Sequence, residues 1–460
     1  MKKSPGSLVL TAVAVISVLT SIFGGFVHAA PTAAAGPVAA ATEAPNPLAE
    51  YQKAKIDWQQ AKGESLSLML VRHFWTDAVK ANLDQFKQLT GINVTLDVYE
   101  EEEFRQKRTI ALTSGSDTPD IFMLDWLGQF VDAGWVEPLD GFLSDPTLTD
   151  AEWYDVNDIF AGARNFGTYK GKFAGMPITA EVEVLFYRKD LLEAKGLKVP
   201  ETMDDLYKVA TALKTSDMAG IANRGRRGAG ANAWPWAGYV MSYGGRVLDD
   251  QFQPVFNSPE AVAGTEMYAK LLQDAGPAGV VNYDWYEVLQ DFQQGKAAMF
   301  TDSSGFVPTL LDKTSTPVAD KVGFAAFPKG PGKDAPVPNG WYWLVGVNAN
   351  SQHKKAAWLF LEWATSKPGT LAIAASGGSP ARASAWQDPT FAKNFGEVAV
   401  PVVVESLGYA KMAAYPYAHP KYPEFGDKIG IAIADVIEKK ATAQEALDKA
   451  VDETKQILAK

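Results

Sequence analysis

Four carboxylates, Asp125, Glu181, Glu183 and Asp302, sit at the ends of short β-rich runs or within one of them. Two carboxyl groups held about 5–9 Å apart could serve a glycosidase as acid and nucleophile or base. Nothing in the spacing of these four fixes such a pair. Hydrogen bonding to ligand hydroxyls or to backbone amides is therefore the better reading, and no catalytic residue is assigned. Tryptophan supplies the second candidate chemistry. Of thirteen in the chain, Trp75, Trp126, Trp234, Trp236, Trp341 and Trp343 fall in or beside stretches that read as rim loops rich in Gly and Pro. A loop indole either plugs the edge of a core or offers a flat face to a ligand. A sugar suits such a face, because its C–H groups form an apolar side while its hydroxyls seek carboxylates and amides. Sequence spacing leaves both uses open for each residue.

Other chemistries lack their parts. There is no cysteine, so thiolate nucleophiles, disulfides and Cys-ligated metals are excluded. The histidines (His28, His73, His353 and His419) show no metal-binding spacing, and no cofactor or metal is implied. His73, with no neighbouring partner in sequence, reads as a loop hydrogen-bond donor rather than a catalyst. The Arg224–Gly230 loop carries its glycines as GxxGxG, which is neither the dinucleotide nor the Walker pattern, although its arginines could hold an anionic group.

The elements that would position these residues alternate between strand and helix. Leu66–Val71, Ile92–Tyr99 and Asp120–Leu124 read as strands. A helix capped by Thr76 and another opened by Glu100–Glu103 lie between them. That order predicts an α/β doubly wound sheet, in which ligands bind beyond the carboxyl ends of strands. Trp75, Glu101, Asp125 and Trp126 would then share one rim. Val182–Tyr187 reads as a buried strand entered after Pro177, with Glu181 and Glu183 on one face. Further strands are expected at 219–223, 296–301 and 321–327. Asn46-Pro47 reads as a cap and first turn of a helix running to Gln60.

The chain has 460 residues, 47% hydrophobic and 21% charged, enough for two or three domains or two large lobes. Its formal net charge of -11 gives no support to nucleic acid or anionic membrane as a partner. Lys2-Lys3, an apolar run from Leu8 to Val27 and small residues near Ala29 read as a secretory signal peptide over residues 1–29. Residues 30–62 read as a low-complexity linker followed by the N-terminal helix.

Several pieces taken in order resemble the extracellular solute-binding proteins of ABC importers, in the carbohydrate branch that contains maltose-binding protein. They are Gly134-Trp-Val-Glu-Pro-Leu-Asp140, Gly171-Lys-Phe-Ala-Gly-Met-Pro-Ile178 with Leu185-Phe-Tyr-Arg-Lys-Asp-Leu-Leu192, and Val199-Pro-Glu-Thr-Met-Asp-Asp-Leu206. Tyr243-Gly-Gly, Gly295-Lys-Ala-Ala-Met299 and Pro338-Asn-Gly-Trp341 complete the set. The Arg224–Asn232 loop resembles that of a branch handling disaccharides and polyols. The resemblance implies a two-lobed periplasmic binding protein fold, its doubly wound lobes joined by crossing hinge strands. It puts lobe one at 63–180 and 345–385, and lobe two at 181–344 and 386–460. It implies a periplasmic monomer that binds a sugar, oligosaccharide or polyol between the lobes and delivers it to permease subunits. Carried over by position, the contacts are Trp75, Glu101, Asp125 and Trp126 from lobe one, and Asn232, Trp236 and Asp302 from lobe two. Glu181, Gly340, Trp341 and Arg382 come from the crossing strands and the return. Trp126 and Trp236 are expected to stack on one sugar ring from opposite sides. A binder of a glycerophosphodiester or acidic sugar, using Arg224, Arg227 and Arg382, is the alternative; a secreted glycoside hydrolase is the rival from another class.

Overall fold

A computed structural model describes residues 46–374, 378–410 and 419–460. The expected signal peptide and most of the low-complexity stretch lie outside the described residues. Residues 47–460 fold as one unit, built around two main sheets, with a two-stranded hairpin at 168–173 beside them.

The first sheet holds β1 (Ser65–Val71), β2 (Asn93–Tyr99), β3 (Ile121–Leu124), β4 (Met176–Pro177) and β9 (Leu344–Val347), in the order β2-β1-β3-β9-β4. β1 runs parallel to β2 and β3. Parallel neighbours need helical crossovers, and these are α1 (Phe74–Thr90) and α2 (Glu101–Thr113). α1 starts three residues earlier than expected, with His73 rather than Thr76 as its cap. Thr76 instead donates its hydroxyl hydrogen to the Val71 carbonyl at 2.7 Å. The helix stops at Gly91, whose φ of 72° suits glycine and whose N–H reaches the Lys87 carbonyl.

The second sheet is built on β5 (Glu181–Arg188). β6 (Met299–Ser303) pairs along one edge; β7 (Val322–Ala326) and β8 (Gly340–Trp341) pair along the other, all antiparallel. Alternation sorts the side chains of β5. Val182, Val184 and Phe186 enter one core cluster with Phe300, Trp386 and Phe391. Glu181, Glu183 and Leu185 take the opposite face. Between β5 and the C-terminal part of the chain pack α3 (Ala233–Tyr243), α4 (Pro259–Ala275) and α5 (Trp285–Gln293), followed by α6 (Lys354–Thr365), α7 (Tyr422–Ile437) and α8 (Ala443–Leu458). α6 returns to the first sheet, while α7 and α8 pack on α3 and α4. The chain thus passes from sheet to sheet between β4 and β5 and again between β8 and β9.

Two local expectations fail. Residues 46–60 do not form a helix: only Tyr51–Lys53 makes a 3-10 turn. The Lys55 N–H goes to the Asp150 carboxylate at 3.0 Å and the Trp58 indole N–H takes the Tyr51 carbonyl at 2.9 Å, so the helical ladder is interrupted. Residues 219–223 form no strand: an Ala219–Ala297 bridge and the Ala222 N–H on the Met299 carbonyl at 2.9 Å tie them beside β6.

Candidate functional site

A cavity of about 210 Å³ lies between the two sheets, at the carboxyl ends of β1 and the start of β5. Its wall from the first lobe includes Arg72, His73, Phe74 and Asp77, from the end of β1 and the start of α1, and Glu101 and Arg105 from the first two turns of α2. From the second lobe come Glu181, Arg224, Trp234, Trp285, Ser303 and Phe306, with Trp341 and Trp343 on the return crossing.

Glu181 is the buried carboxylate at the hinge end of β5. Thr179 donates to its Oε1 at 2.9 Å and the Ser303 hydroxyl donates to its Oε2. His73 caps α1 by accepting the Trp75 N–H on Nδ1 at 3.2 Å. That role leaves the ring proton on Nε2, which lies 3.5 Å from Glu181 Oε1. One carboxylate is therefore oriented by three groups from three segments.

The guanidinium groups facing the cavity are already engaged. Arg224 grips Asp302 through Nε at 2.8 Å and through Nη2, gives Nη1 to the Gly230 carbonyl at 3.1 Å, and lies over the Trp234 ring at 4.8 Å. Arg105 pairs with Asp125 at 2.9 Å and with Glu101, and lies over Trp126 at 4.6 Å. Asp125 also holds Arg108 at 2.9 Å. Burial works to raise the Asp125 pKa, yet Arg108 and Arg105 outweigh it and hold the carboxyl below its usual range. For Arg224, desolvation opposes the charge, but Asp302 overrides it and the pKa is raised. Arg72 pairs with Glu100 at 2.8 Å on the outer rim.

Of the eleven expected contact residues, Glu101, Glu181 and Trp341 line this cavity. The others lie elsewhere for identifiable reasons. Trp236 is 0% exposed inside α3, its indole N–H bonded to Thr265 on α4 at 2.8 Å. It is a packing residue, so the expected pair of tryptophans around one sugar ring is not formed. Trp126 has one face covered by Arg105 and contacts Tyr422. Asp125 and Asp302 are fully buried behind the arginines they hold. Asn232 ties Gly225 to Gly430 through its amide, at 3.2 and 2.9 Å. Gly340 pairs with Val182 in the sheet. Trp75 and Arg382 line a separate small space, where Arg382 binds the Thr365 and Asp155 carbonyls and Asp158. Arg227 is exposed and outside the cavity. Arg105 and Trp285 were not anticipated. Asp284-Trp285-Tyr286-Glu287 forms a capping box, a pattern readable in the sequence that would have marked Trp285 as a helix start. Among the described residues no group of three His, Cys, Asp or Glu could hold a metal ion. No described helix is long and apolar enough to cross a membrane.

Two lobes joined by crossing segments, with a walled cavity between them, define a ligand-trapping protein rather than a surface-binding one. Residues 75–371 match the family model of the bacterial extracellular solute-binding proteins, and the chain belongs to that family. The erythritol/L-threitol-binding protein of Mycolicibacterium smegmatis is 30% identical over 389 residues, covering 78% of this chain and 79% of its own length. The mannitol-binding protein of Pseudomonas aeruginosa is 30% identical over 279 residues, covering 59% of this chain and 61% of its own length. A solved ABC transporter solute-binding protein from Agrobacterium radiobacter, in complex with ribitol, superposes with a TM-score of 0.80 at 31% identity, covering 86% of this chain and 99% of that one.

Proposed function

We propose that this protein is the substrate-binding component of an ABC importer, acts as a monomer outside the cytoplasmic membrane, and binds a short uncharged polyol or a single sugar. It delivers the ligand unchanged to the permease. The cavity carries this reading. At about 210 Å³ it falls below the ~300–1,000 Å³ of drug-sized sites, so it suits a small ligand better than an oligosaccharide. Rings of Trp234, Trp285, Phe306, Trp341 and Trp343 offer apolar faces to C–H groups, and the Glu181 carboxylate offers oxygens to hydroxyls. The relatives named for erythritol and mannitol, and the ribitol complex, support the same class. An anionic ligand is disfavoured because Arg224 and Arg105 are neutralised by Asp302, Asp125 and Glu101, and Arg382 faces away from the cavity.

A thermal-shift panel tests the reading. Erythritol, ribitol and mannitol are compared with maltotriose and glycerol 3-phosphate. A ligand at a hundredfold excess over its Kd adds about 2.7 kcal/mol of stability. At least one polyol should raise the Tm by several degrees and be recovered intact by NMR after incubation. A shift with glycerol 3-phosphate alone, or turnover of the ligand, would overturn it.

A further inference from the structure

Glycine 230 is pressed by the opposite lobe. A Cβ added there would stand 2.6 Å from Arg105 Nη2 and 3.2 Å from both Cζ and Nη1. All three nearest atoms belong to that one side chain on α2; within its own lobe nothing lies closer. The φ of Gly230 is not in the left-handed region, so its backbone does not itself require glycine. A guanidinium tip ordinarily swings aside. This one is held by Asp125 and Glu101 and stacked on Trp126, so moving it breaks two ion pairs. Beside it the Trp285 indole N–H donates to Glu101 Oε2 at 3.2 Å, the other oxygen of the carboxylate that holds Arg105. Trp285 is itself fixed by the Asp284–Glu287 capping box and stacked against Phe306.

We propose that Gly230 and Trp285 of lobe two, meeting Arg105 and Glu101 of lobe one, form a latch that holds the cleft shut through protein–protein contacts, and that position 230 must lack a side chain for the cleft to close. The latch acts without ligand. The ligand-free protein therefore populates the closed state, and the latch raises affinity for every ligand alike by enlarging the binding-competent fraction. This goes beyond the polyol reading and does not depend on which ligand is bound.

The absence of cysteine lets two spin labels be placed uniquely, at Asp97→Cys on β2 and Lys449→Cys on α8, both exposed. Pulsed EPR of the ligand-free protein should show a short-distance population. Gly230→Val should abolish it while melting within a few degrees of the parent. Trp285→Phe, which keeps the ring and removes the donor, should reduce it by roughly five- to tenfold. Adding Arg105→Ala to Gly230→Val should restore part of the population by making room, with Asp125 still paired to Arg108. If Gly230→Val fails to fold, Trp285→Phe carries the test alone. A ligand-free parent with only the long distance overturns the latch, and so does a closed population unchanged in the variants. Failure of every polyol to bind leaves these distances untouched and counts against the ligand reading only.

Discussion

Lobe one and lobe two furnish the same cavity with different materials. Lobe one brings charge: Arg72, Asp77, Glu101 and Arg105 project from the ends of β1 and the first turns of α1 and α2. Lobe two brings area: Trp234, Trp285, Leu289 and Phe306, with only Glu181 and Arg224 charged. Yet Arg72, Glu101 and Arg105 are held in ion pairs within lobe one, so they fix geometry and leave ligand grip to rings and a few oriented oxygens. A second contrast runs beneath the first. Asp125 and Asp302 are fully buried and each holds guanidinium groups. Glu183 and Glu362 are as deeply buried, and no cationic side chain among the described residues forms an ion pair with either. The Glu183 carboxyl lies against α3 at Gly238, and burial followed by the charge of Asp302 raises its pKa well above the usual range. Guanidinium partners hold the Asp125 carboxyl below its usual range, whereas burial without such a partner pushes Glu183 and Glu362 above theirs.

The largest effect should come from breaking a pair. Asp125→Ala strands Arg108 in the interior and leaves Arg105 with Glu101 alone, and an uncompensated buried charge of this kind costs about 3–5 kcal/mol. Asp302→Ala should cost less, since only one guanidinium, that of Arg224, loses its carboxylate there, against two at Asp125. Urea unfolding of the two variants ranks them, and equal losses would erase the asymmetry between the lobes. Next comes Trp236→Ala. Cutting a core tryptophan loses about 3–5 kcal/mol of stability, and ligand affinity of the folded fraction should stay unchanged. Trp234→Ala, two residues away on the cavity wall, should show the opposite pattern. Melting temperature and affinity measured on both variants decide this, and an affinity loss at Trp236 would return it to the site.

That pair also shows how far the sequence reaches. The strands were readable because short β-branched and aromatic runs are bounded by turn residues, and β1, β2, β3 and β5 fall within one or two residues of expectation. Trp234 and Trp236 were misplaced because Pro235 between them looks like a loop. Proline is tolerated in the first turn of a helix, and Asn232 before Ala233 is the cap position that announces one. Asp125 and Asp302 were read as ligand contacts because a carboxylate at a strand end is just that until its partner is known. Arg224 lies 78 residues before Asp302, and no local pattern reports such a distance. Arg105 was missed for the same reason: it sits in the second turn of an ordinary polar helix, and only the fold turns it toward the cavity and Asp125.

At neutral pH Glu362 gives an intermediate effect with a definite sign. Burial, helped by the charge of Asp150, raises its pKa from 4.5 to about 9. Between those values the native state keeps a proton that the unfolded chain has lost, so native stability falls as pH rises through that window. Glu362→Gln removes this slope. The variant should gain on the parent by about 1 kcal/mol for each pH unit above 4.5, measured by urea unfolding at acid, neutral and alkaline pH. A difference between the two proteins that does not grow with pH would mean that Glu362 is ionised in the folded chain and paired after all.

The smallest effect is the one that separates the lobes' roles most cleanly. If the arginines at the cavity serve geometry, ligand affinity should hardly respond to salt. The Debye length shrinks from about 10 Å at 0.1 M to about 3 Å at 1 M, which weakens attraction between exposed charges. Arg224 and Arg105 are screened already by carboxylates at 2.8 and 2.9 Å, and a polyol carries no charge for them to attract. Calorimetric affinity for whichever polyol binds should therefore change by less than about twofold between about 0.05 and about 0.5 M salt. An anionic ligand would lose affinity steadily over that range. A steep loss would mean that a guanidinium leaves its carboxylate for the ligand on binding. The charges of lobe one would then grip the ligand directly, and the division between a lobe that positions and a lobe that holds would collapse.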